Sequence, residues 1–501
     1  MPRQQIPKPL VTPTHIQHIH ALLRPSSGVL ISANLLKQLS LPILKKLLRS
    51  CRTTVLQIED QETLDFLKLH LKLAKNRQVI FLSTQLCLLG KIETAYPASR
   101  RVYKSTNSNW KPNKLIVHLN RYRIRTVMLA PTTAVSLCHP LRKHALSVWS
   151  HAEDQRHLHD LIVSGVQSIS VPFKCQFRSL WNNYDQLRIV HRPVFIAHRG
   201  ACQLKQENTL AAFEWASRYG ADVLETDVRE TKDGKLVLFH DATLKRLTGD
   251  RRSVAEVTLE QMKSLMPVVE LETFLATYQH SSHTLLLELK EEQIVSNVVE
   301  FIQKYELWHQ VHIQSFLPKV LEEVQAMQPQ LGISLLYSHN KASKVHLSKS
   351  FVKRTLLNTQ ASFNPKIRRA RRFRKQRKDG IQSFYWTIRT KKELEIQWSQ
   401  GKLGLIMDCI QYTKSYPIQL TVASLPSRNK VGTLSFPSQQ QAIFGDGSTE
   451  WVLVKWYIQT QSGLRQVTDE VKTDTTIHVF CVYRIVLSGV SKSICSALIR
   501  I

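Results

Sequence analysis

The 501-residue sequence contains few glycines and few cysteines. Its 16 glycines fall well short of the usual share of roughly 7%, which argues against collagen-like and linker-rich architectures. The 8 cysteines are widely scattered, and no Cys-x-x-Cys or Cys/His zinc spacing occurs among them. A disulfide scaffold and a zinc finger are therefore excluded, and we expect the cysteines to be small, reduced, buried side chains.

Long hydrophobic runs are absent as well. Residues 1–22 carry Arg3 and Lys8, and prolines and polar residues interrupt any apolar core of the kind that a signal peptide needs. The most apolar late stretch, Ile477 to Val490, alternates and contains Arg484, which indicates a strand and not a membrane span. We therefore expect a cytoplasmic chain, with association at a cell surface left open.

Acidic side chains are also scarce. The chain has 38 Asp and Glu against 69 Lys and Arg, which gives a formal net charge of +31. Such a charge favours polyanionic partners, such as an anionic membrane or a polyglycerolphosphate surface. The densest basic run, Lys366 to Lys378, is either a solvated helix face or a polyanion-binding patch. No nucleic-acid-binding motif accompanies it, so we expect no specific nucleic-acid partner.

The middle of the chain shows short apolar strands that alternate with helical patterns such as Thr209 to Tyr219. The expected strands are Pro193–Ala197, Ala221–Val228, Lys235–Phe239, Thr284–Leu289, Gln310–Gln314 and Gly332–Tyr337, with a Lys-Asp-Gly turn at 232–234 between the second and the third. This alternation predicts parallel β/α units, and the length suits a (β/α)8 TIM barrel. A doubly wound open sheet is the alternative.

An internal repeat links the first third of the chain to this middle part. Three pairs of segments match in the same order: VLISANLLKQL from Val29 with VLFHDATLKRL from Val237, TVLQIED from Thr54 with TLLLELK from Thr284, and ALSVWS ending at Ser150 with QSFYWT ending at Thr387. The repeat predicts that residues 1–180 are a degenerate, incomplete copy of the barrel.

The pattern changes again near Ile418. Valine, threonine, tryptophan and tyrosine alternate with polar residues, and turn signals such as Gly445-Asp446-Gly447 interrupt them. This pattern predicts a small antiparallel β-sandwich over residues 418–501, which faintly resembles bacterial immunoglobulin-like domains.

Chemically active residues fall at the ends of the expected middle strands. The clusters are His198-Arg199-Gly200, Glu225 with Asp227, His240-Asp241, Glu288 with Lys290, and Trp386-Thr387. Residues two apart on a strand point to the same face, and a parallel barrel gathers strand ends at its C-terminal mouth. Each cluster alone has an ordinary explanation, such as a salt bridge, a helix cap or a core tryptophan. Their order and shared placement favour a common site.

The residue types in these clusters suit cleavage of a phosphate ester. Three carboxylates form an oxygen-donor pocket for Mg²⁺ or Ca²⁺, and it is poorly suited to zinc. Arg199 and Lys290 supply positive charge and donors for a phosphate. His198 and His240 supply an acid and a base near neutral pH. Together they point to metal-assisted hydrolysis of a phosphate ester.

The segment FIAHRGACQLKQENTLAAFEWASRYGADVLETDVRETKDGKLVLFHDATLKRLTG resembles the opening of the glycerophosphodiester phosphodiesterases, a family of TIM-barrel enzymes. The resemblance continues through VELETFLATY, LLLELK, HIQSF, YWTIRT and LGLIMDC, and covers Pro193 to Tyr412. It implies these roles: metal ligands Glu225, Asp227 and Glu288; acid/base pair His198 and His240; phosphate contacts Arg199 and Lys290; a supporting Glu207; and Trp386 on the glycerol side.

The resemblance also implies the reaction. A glycerophosphodiester would be hydrolysed with a divalent cation, Mg²⁺ or Ca²⁺, to glycerol 3-phosphate and an alcohol, through a cyclic phosphate that water opens, as a step in lipid and glycerol metabolism. Two alternatives stay open: a lysophospholipase-D-type hydrolase, and a catalytically silent basic scaffold that binds anionic polymers. The short distance between His240 and Glu288 leaves room for a small insertion and argues against a large lid.

Three parts of the chain are therefore expected: a fragment without metal ligands at 1–180, a catalytic barrel at 190–416 and an immunoglobulin-like sandwich at 418–501. In the first part the repeat places Ser32-Ala33 at the position of His240-Asp241, and Ile58 at that of Glu288. Three features depart from the family pattern: Cys202, the basic segment after Asn364, and the Met407-Asp408 pair, where the family usually has Thr-Asp.

Overall fold

The protein is described from a computed structural model. The described residues are 10–15, 18, 28–51, 53–70, 79–97, 99–172, 175–338, 355–356, 359–367, 382–429, 431, 433–460, 463–467, 470–473 and 475–501. All but the first two residues of the basic run 366–378 lie outside them.

The N-terminal part of the chain forms a closed parallel barrel of eight strands, in which the last strand pairs with the first. The strands are β1 Leu10–Thr12, β2 Gly28–Ile31, β3 Thr53–Gln57, β4 Val79–Ser83, β5 Arg100–Lys104, β6 Thr126–Leu129, β7 Ser147–His151 and β8 Ser168–Pro172. Its helices are α1 Ala33–Gln38, α2 Leu41–Ser50, α3 Gln61–His70, α4 Leu86–Ala95, α5 Pro112–Arg121, α6 Pro131–Arg142, α7 Gln155–Ser164 and α8 Cys175–Leu187. The expectation of an incomplete copy is wrong, because β4 to β6 fill the part of the barrel that the repeat does not cover. Closure removes the unpaired edges that a partial barrel would expose.

The structure also corrects the register of the repeat. Val55 on β3 lies in the interior apolar cluster of the first barrel, as Leu286 does in the second. The expected alignment is therefore offset by one residue, and a one-residue offset moves a side chain to the other face of a strand. Gln57, not Ile58, occupies the strand position of Glu288. Ile58 packs outward in the layer between the strands and helices.

The middle of the chain forms the expected second barrel. Seven neighbouring parallel pairings link its eight strands, and an isolated parallel bridge between Lys366 and Trp386 joins the two ends. Its strands are β9 Val194–His198, β10 Val223–Glu230, β12 Thr284–Leu289, β13 Val311–Ser315, β14 Gly332–Tyr337, β15 Ser362–Pro365, β16 Tyr385–Ile388 and β17 Gly404–Met407. The helices that follow them include α9 Leu210–Arg218, α13 Val295–Lys304, α14 Pro318–Met327 and α15 Lys391–Ser399. The barrel expected from the alternating pattern is confirmed.

One expected strand lies outside this barrel. The segment Lys235–Phe239 contains β11, Leu236–Leu238, which runs antiparallel to β10. The turn at 232–234 is too short for a parallel connection, which needs a crossover of roughly a dozen residues, so it can only reverse the chain. The reversed strand returns towards the mouth of the barrel and delivers His240 there. The first pair of repeat segments therefore aligns β2, a barrel strand, with β11, a hairpin strand outside the barrel.

A small insertion follows β11, as the spacing between His240 and Glu288 predicts. It contains α10 Lys245–Thr248, a 3-10 turn Val254–Glu256 and α11 Leu259–Leu265. The next helix, α12 Leu271–Tyr278, packs in the main core of the second barrel and leads to β12. The insertion has its own apolar cluster, which includes Phe239, Val254 and Met262. It therefore packs as a small unit beside the strand ends.

The first barrel closes the bottom of the second. The turn after α6 brings Ala145 into the interior apolar cluster of the second barrel, beside Val194 and Leu286. Next to it, Nε2 of His144 lies 3.0 Å from Oγ1 of Thr284, at the start of β12. The end opposite the strand C-termini is therefore filled by a residue of the neighbouring barrel.

The C-terminal part consists of antiparallel strands in three small sheets. Antiparallel strands are present where they were expected, and the immunoglobulin-like sandwich over residues 418–501 stays a prediction. The strands are β18 Pro417–Thr421, β19 Ser427–Arg428, β20 Thr433–Ser435, β21 Gln439–Phe444, β22 Thr449–Leu453, β23 Lys455–Thr460, β24 Gly463–Gln466, β25 Val471–Lys472, β26 His478–Leu487, β27 Val490–Cys495 and β28 Ile499–Arg500. The sheets contact both barrels: His159 Nε2 lies 3.0 Å from the carbonyl oxygen of Ser496, and the backbone N–H of Ser488 donates to Glu395. Across the described residues, none of the helices combines the length and the hydropathy needed to cross a membrane.

Candidate active site

Three buried carboxylates meet at the C-terminal mouth of the second barrel. Glu225 and Asp227 lie two apart on β10, and Glu288 lies directly opposite Asp227 on β12. Each offers a carboxylate oxygen, and these oxygens all lie within 4.8 Å of one another. The convergence expected from strand-end placement is what the structure shows. Oxygen donors at this spacing can hold a hard divalent cation.

Side-chain amides orient these carboxylates from the neighbouring elements. Nε2 of Gln314, on β13, donates to Glu225 at 3.0 Å, and Nδ2 of Asn208 donates to Asp227 at 3.2 Å. Sequence reasoning assigned no role to either amide, although both lie in quoted family motifs, HIQSF and Glu-Asn-Thr. Their contribution becomes visible only when the fold brings them to the acidic group.

The two basic side chains expected to contact the phosphate form ion pairs with the carboxylates. Nζ of Lys290 is 2.9 Å from Asp227 and also contacts Glu288. Nε of Arg199 is 3.2 Å from the other oxygen of Asp227, and its Nη1 is 3.1 Å from Glu207. Both cations are therefore in place at the mouth, and their contact with a phosphate stays a prediction.

Burial and neighbouring charges shift the pKa values of the three carboxylates in different directions. Burial raises the pKa of Glu225 to about 7, and repulsion from Asp227 and Glu288 adds to the increase. Burial likewise raises the pKa of Glu288. The pKa of Asp227 lies well below its usual range, because Lys290 and Arg199 outweigh its burial. The group thus concentrates negative charge that a bound cation would relieve.

His198 is fixed by a carboxylate that sequence reasoning passed over. Its Nδ1 lies 2.5 Å from Oδ1 of Asp408, which directly follows β17. Burial lowers the pKa of His198, but Glu225 and Asp408 raise it more, so the net shift is upward. Asp408 stands at a strand end like the other site residues, and that placement was the available signal.

His240 has a matching arrangement on the other side. Its Nδ1 lies 2.6 Å from Oδ1 of Asp241, and Nε of Arg246, on α10, donates to the other oxygen at 2.5 Å. Arg246 also donates to Glu207, the expected supporting residue, which in turn accepts from Arg199. Burial is the main cause of a lowered pKa for His240. Glu207 therefore connects the loops that carry the two histidines.

The glycine of the His-Arg-Gly cluster is required by sterics. Gly200 has φ +78°, and a Cβ there would lie 2.7 Å from the carbonyl carbon of Ala212. The preceding Arg199 also has a positive φ of 57°, and its backbone N–H donates to Glu225 at 3.1 Å. The tight turn presses the loop onto α9 and aims it at the carboxylates.

Trp386 lies at the mouth, partly buried, and not in the core. Its Nε1 donates to the carbonyl oxygen of Asn364 at 2.8 Å, and its ring meets the edge of Phe316 with the ring centroids 5.6 Å apart. Nζ of Lys366 lies 5.6 Å from the ring centroid. A fixed aromatic wall of this kind suits the carbon skeleton of a small alcohol, and its contact with glycerol stays a prediction.

The first barrel shows no comparable group of metal-binding side chains within its described residues. Gln57 lies on the interior face of β3, at the strand position that Glu288 occupies in the second barrel. Glu59 accepts hydrogen bonds from the backbone and hydroxyl of Thr84.

Comparison with known proteins places the similarity in the second barrel. Residues 198–411 match the glycerophosphoryl diester phosphodiesterase family. The chain is 31% identical over 238 residues to a glycerophosphodiester phosphodiesterase of Caldanaerobacter subterraneus subsp. tengcongensis, and the match covers 43% of this chain and 94% of that protein. It is 30% identical over 184 residues to a glycerophosphodiester phosphodiesterase of Bacillus subtilis, covering 30% of this chain and 62% of that protein.

Two solved phosphodiesterase structures are also similar to this chain. The glycerophosphodiester phosphodiesterase from Thermotoga maritima shares 26% identity with a TM-score of 0.38, covering 44% of this chain and 96% of that chain. An Oleispira antarctica phosphodiesterase, solved in complex with sn-glycerol-3-phosphate, shares 21% identity with a TM-score of 0.39, covering 45% and 96%.

Proposed function

The chain belongs to the glycerophosphoryl diester phosphodiesterase family, and from that premise we propose that its second barrel hydrolyses glycerophosphodiesters to glycerol 3-phosphate and an alcohol. The observation that carries this proposal is the group at the mouth of the second barrel. Three carboxylates converge there between two imidazoles, and each imidazole is held by a further carboxylate.

The donor set fits a hard divalent cation, Mg²⁺ or Ca²⁺. Glu225, Asp227 and Glu288 offer oxygens only, which these ions prefer over the nitrogen and sulfur donors common at zinc sites. When bound, the ion would polarise a phosphate oxygen and lower the pKa of the neighbouring substrate hydroxyl. Arg199 and Lys290, already paired with these carboxylates, stand beside the same place to receive the phosphate charge.

The two histidines supply the proton transfers. Because Nδ1 of each ring faces a carboxylate, Asp408 for His198 and Asp241 for His240, each Nδ1 holds a proton and each Nε2 is left for the substrate. One Nε2 takes the proton of the attacking hydroxyl, and the other ring gives a proton to the leaving alcohol oxygen. This first step forms a cyclic phosphate. Water then opens the cyclic phosphate to glycerol 3-phosphate with the two rings in exchanged roles, so both rings return to their starting protonation.

Release of glycerol 3-phosphate from glycerophosphocholine, measured with Mg²⁺ or Ca²⁺ and with chelator, tests the proposal. We expect activity to disappear with chelator, and Glu225→Gln to lower kcat/KM by at least roughly 10²-fold, because it removes a metal-binding charge. Glu230→Gln, further along the same strand, is the matched control and should retain activity. Activity that survives chelator, or that Glu225→Gln leaves intact, would refute the mechanism.

The substrate class needs a second comparison. The same preparation is assayed on lysophosphatidylcholine and on glycerophosphocholine, which differ by one acyl chain. We expect faster turnover of the deacylated compound, since the described part of the mouth offers charged groups and one aromatic wall. Faster turnover of the lysolipid would instead indicate the lysophospholipase-D-type activity.

A further inference from the structure

A second group of metal-binding side chains lies beside the acidic one. Sγ of Cys202 is 3.6 Å from Oδ1 of Asp408, the same oxygen that Nδ1 of His198 approaches. One potential ligand atom from each of the three residues lies within 4.8 Å of the others. All three residues are partly exposed, so an ion can reach them from solvent.

This group differs from the acidic one in its chemistry. A thiolate, an imidazole nitrogen and a carboxylate oxygen are the donors that zinc takes in proteins, whereas Mg²⁺ and Ca²⁺ require oxygen. Three protein ligands leave a fourth tetrahedral position for water. His198 and Cys202 come from one loop and Asp408 from the end of β17, so no spacing in the sequence reveals the set. The mouth of the barrel thus carries two neighbouring groups of potential metal ligands. One offers only hard oxygen donors, and the other also offers softer sulfur and nitrogen donors.

We propose that His198, Cys202 and Asp408 form an inhibitory binding site for Zn²⁺. The ion would replace the thiol proton and the Nδ1 proton, both of which pass to solvent. The single proton left on the ring of His198 then lies on Nε2. That nitrogen can no longer accept a proton, and the ring is not the imidazolium that could donate one. The inhibition rests on the proposed function, whereas binding of the ion does not.

One nearby basic side chain disfavours the binding of a cation at this group. Nε of Arg389 lies 3.5 Å from the second oxygen of Asp408, and its side chain is largely exposed. An exposed side chain can turn towards solvent at little free-energy cost, because surface ion pairs contribute only about 0–1 kcal/mol. The oxygen of Asp408 that faces His198 and Cys202 is the one the ion needs.

Binding is tested on the full chain with Co²⁺. This ion binds at zinc sites, and its absorption spectrum depends on which ligands it has. We expect a thiolate-to-cobalt charge-transfer band in the unmodified chain, and no band in Cys202→Ser. Cys87→Ser changes an exposed cysteine of the first barrel and should leave the band in place. Cys202→Ala serves as a second variant if the serine variant does not fold.

Inhibition is tested with Zn²⁺ in the glycerol 3-phosphate release assay at saturating Mg²⁺. We expect the inhibition constant to rise by at least about 10-fold in Cys202→Ser, with activity in the absence of zinc retained. Two results would overturn the proposal: absence of the cobalt band, or equal inhibition of both chains that excess Mg²⁺ reverses, which would place zinc at the acidic group. If the chain hydrolyses no diester, the cobalt band still decides whether the site binds metal.

Discussion

Asp408 governs the tautomer and the charge of His198 through a single contact with Nδ1. The same relation holds between Asp241 and His240, so the two rings are presented in the same way. Among the described contacts at the mouth, neither of these two carboxylates contacts the three carboxylates of the acidic group. Each is a positioning residue that acts through its histidine, and this role can be separated from a structural one by pH.

Asp408→Asn should lower kcat by about 10²-fold or more, since an amide can donate to Nδ1 and stabilise the unproductive tautomer. The carboxylate of Asp408 raises the pKa of His198. Its removal should therefore move the limb of the pH–rate profile that belongs to His198 towards lower pH. The measurement is kcat/KM against pH for both chains.

Asp250→Asn is the control for this experiment, because Asp250 is an acid of the nearby insertion that pairs with Arg252. It should leave both the rate and the profile unchanged. A reduced rate for Asp408→Asn with an unshifted profile would show that Asp408 acts on something other than His198.

At the scale of elements, tight turns place the catalytic side chains. The turn at 232–234 reverses the chain and brings His240 to the mouth from outside the barrel. The turn through Gly200 presses the His198 loop against α9. Both turns are short, and both need glycine at a positive φ, since Gly234 has φ +74°.

Gly200→Ala should destabilise the protein more than Gly249→Ala. Both glycines have a positive φ, +78° and +83°, so both variants carry the strain of about 1 kcal/mol that a side chain incurs there. A Cβ at 200 also meets the backbone of Ala212 at 2.7 Å, whereas a Cβ at 249 meets nothing within 4 Å. We expect the free energies of unfolding, measured with urea, to differ by at least about 1 kcal/mol. Equal values would contradict the steric explanation.

At the scale of the whole molecule, the first barrel packs against the bottom of the second. Asp222 precedes β10 at the bottom of the second barrel, and its Oδ1 lies 2.9 Å from Nε2 of His139 on α6 and 2.7 Å from Nη2 of Arg192. Its Oδ2 accepts from the backbone of Phe195 at 2.9 Å. One buried carboxylate thus connects the two barrels.

Asp222→Asn should lower the free energy of unfolding by about 2–4 kcal/mol at neutral pH, because His139 and Arg192 lose a buried partner. Burial raises the pKa of Asp222, but His139 and Arg192 lower it further, so in the folded protein it lies well below the unfolded value of about 3.9. A depressed pKa gives stability that is present above the unfolded pKa and lost as pH falls through the folded one. The difference between wild type and variant should therefore shrink as pH falls below about 4.

Denaturant unfolding over a range of pH checks this prediction, and the control is Glu322→Gln, which changes an exposed side chain of α14. A difference that does not change with pH would mean that the charge of Asp222 contributes nothing to the joining of the barrels.

The sequence by itself determined five of the eight strands of the second barrel, β9, β10, β12, β13 and β14, together with the acidic and histidine residues of the candidate site. Thr284–Leu289 and Gly332–Tyr337 were predicted with the bounds that the structure shows, because short apolar runs next to turn residues have one stable conformation. Local spacing also sufficed for Glu225 and Asp227, since residues two apart on a strand share a face.

Only the tertiary structure decided which distant residues meet. Asp408 and His198 are far apart in sequence, and so are Gln314 and Glu225, and no local pattern records such a contact. The completeness of the first barrel, and the entry of Ala145 into the base of the second, likewise depend on how strands close and barrels pack. Periodicity fixes the face of a strand within a segment, whereas register and partners between segments are set by the packing of the whole chain.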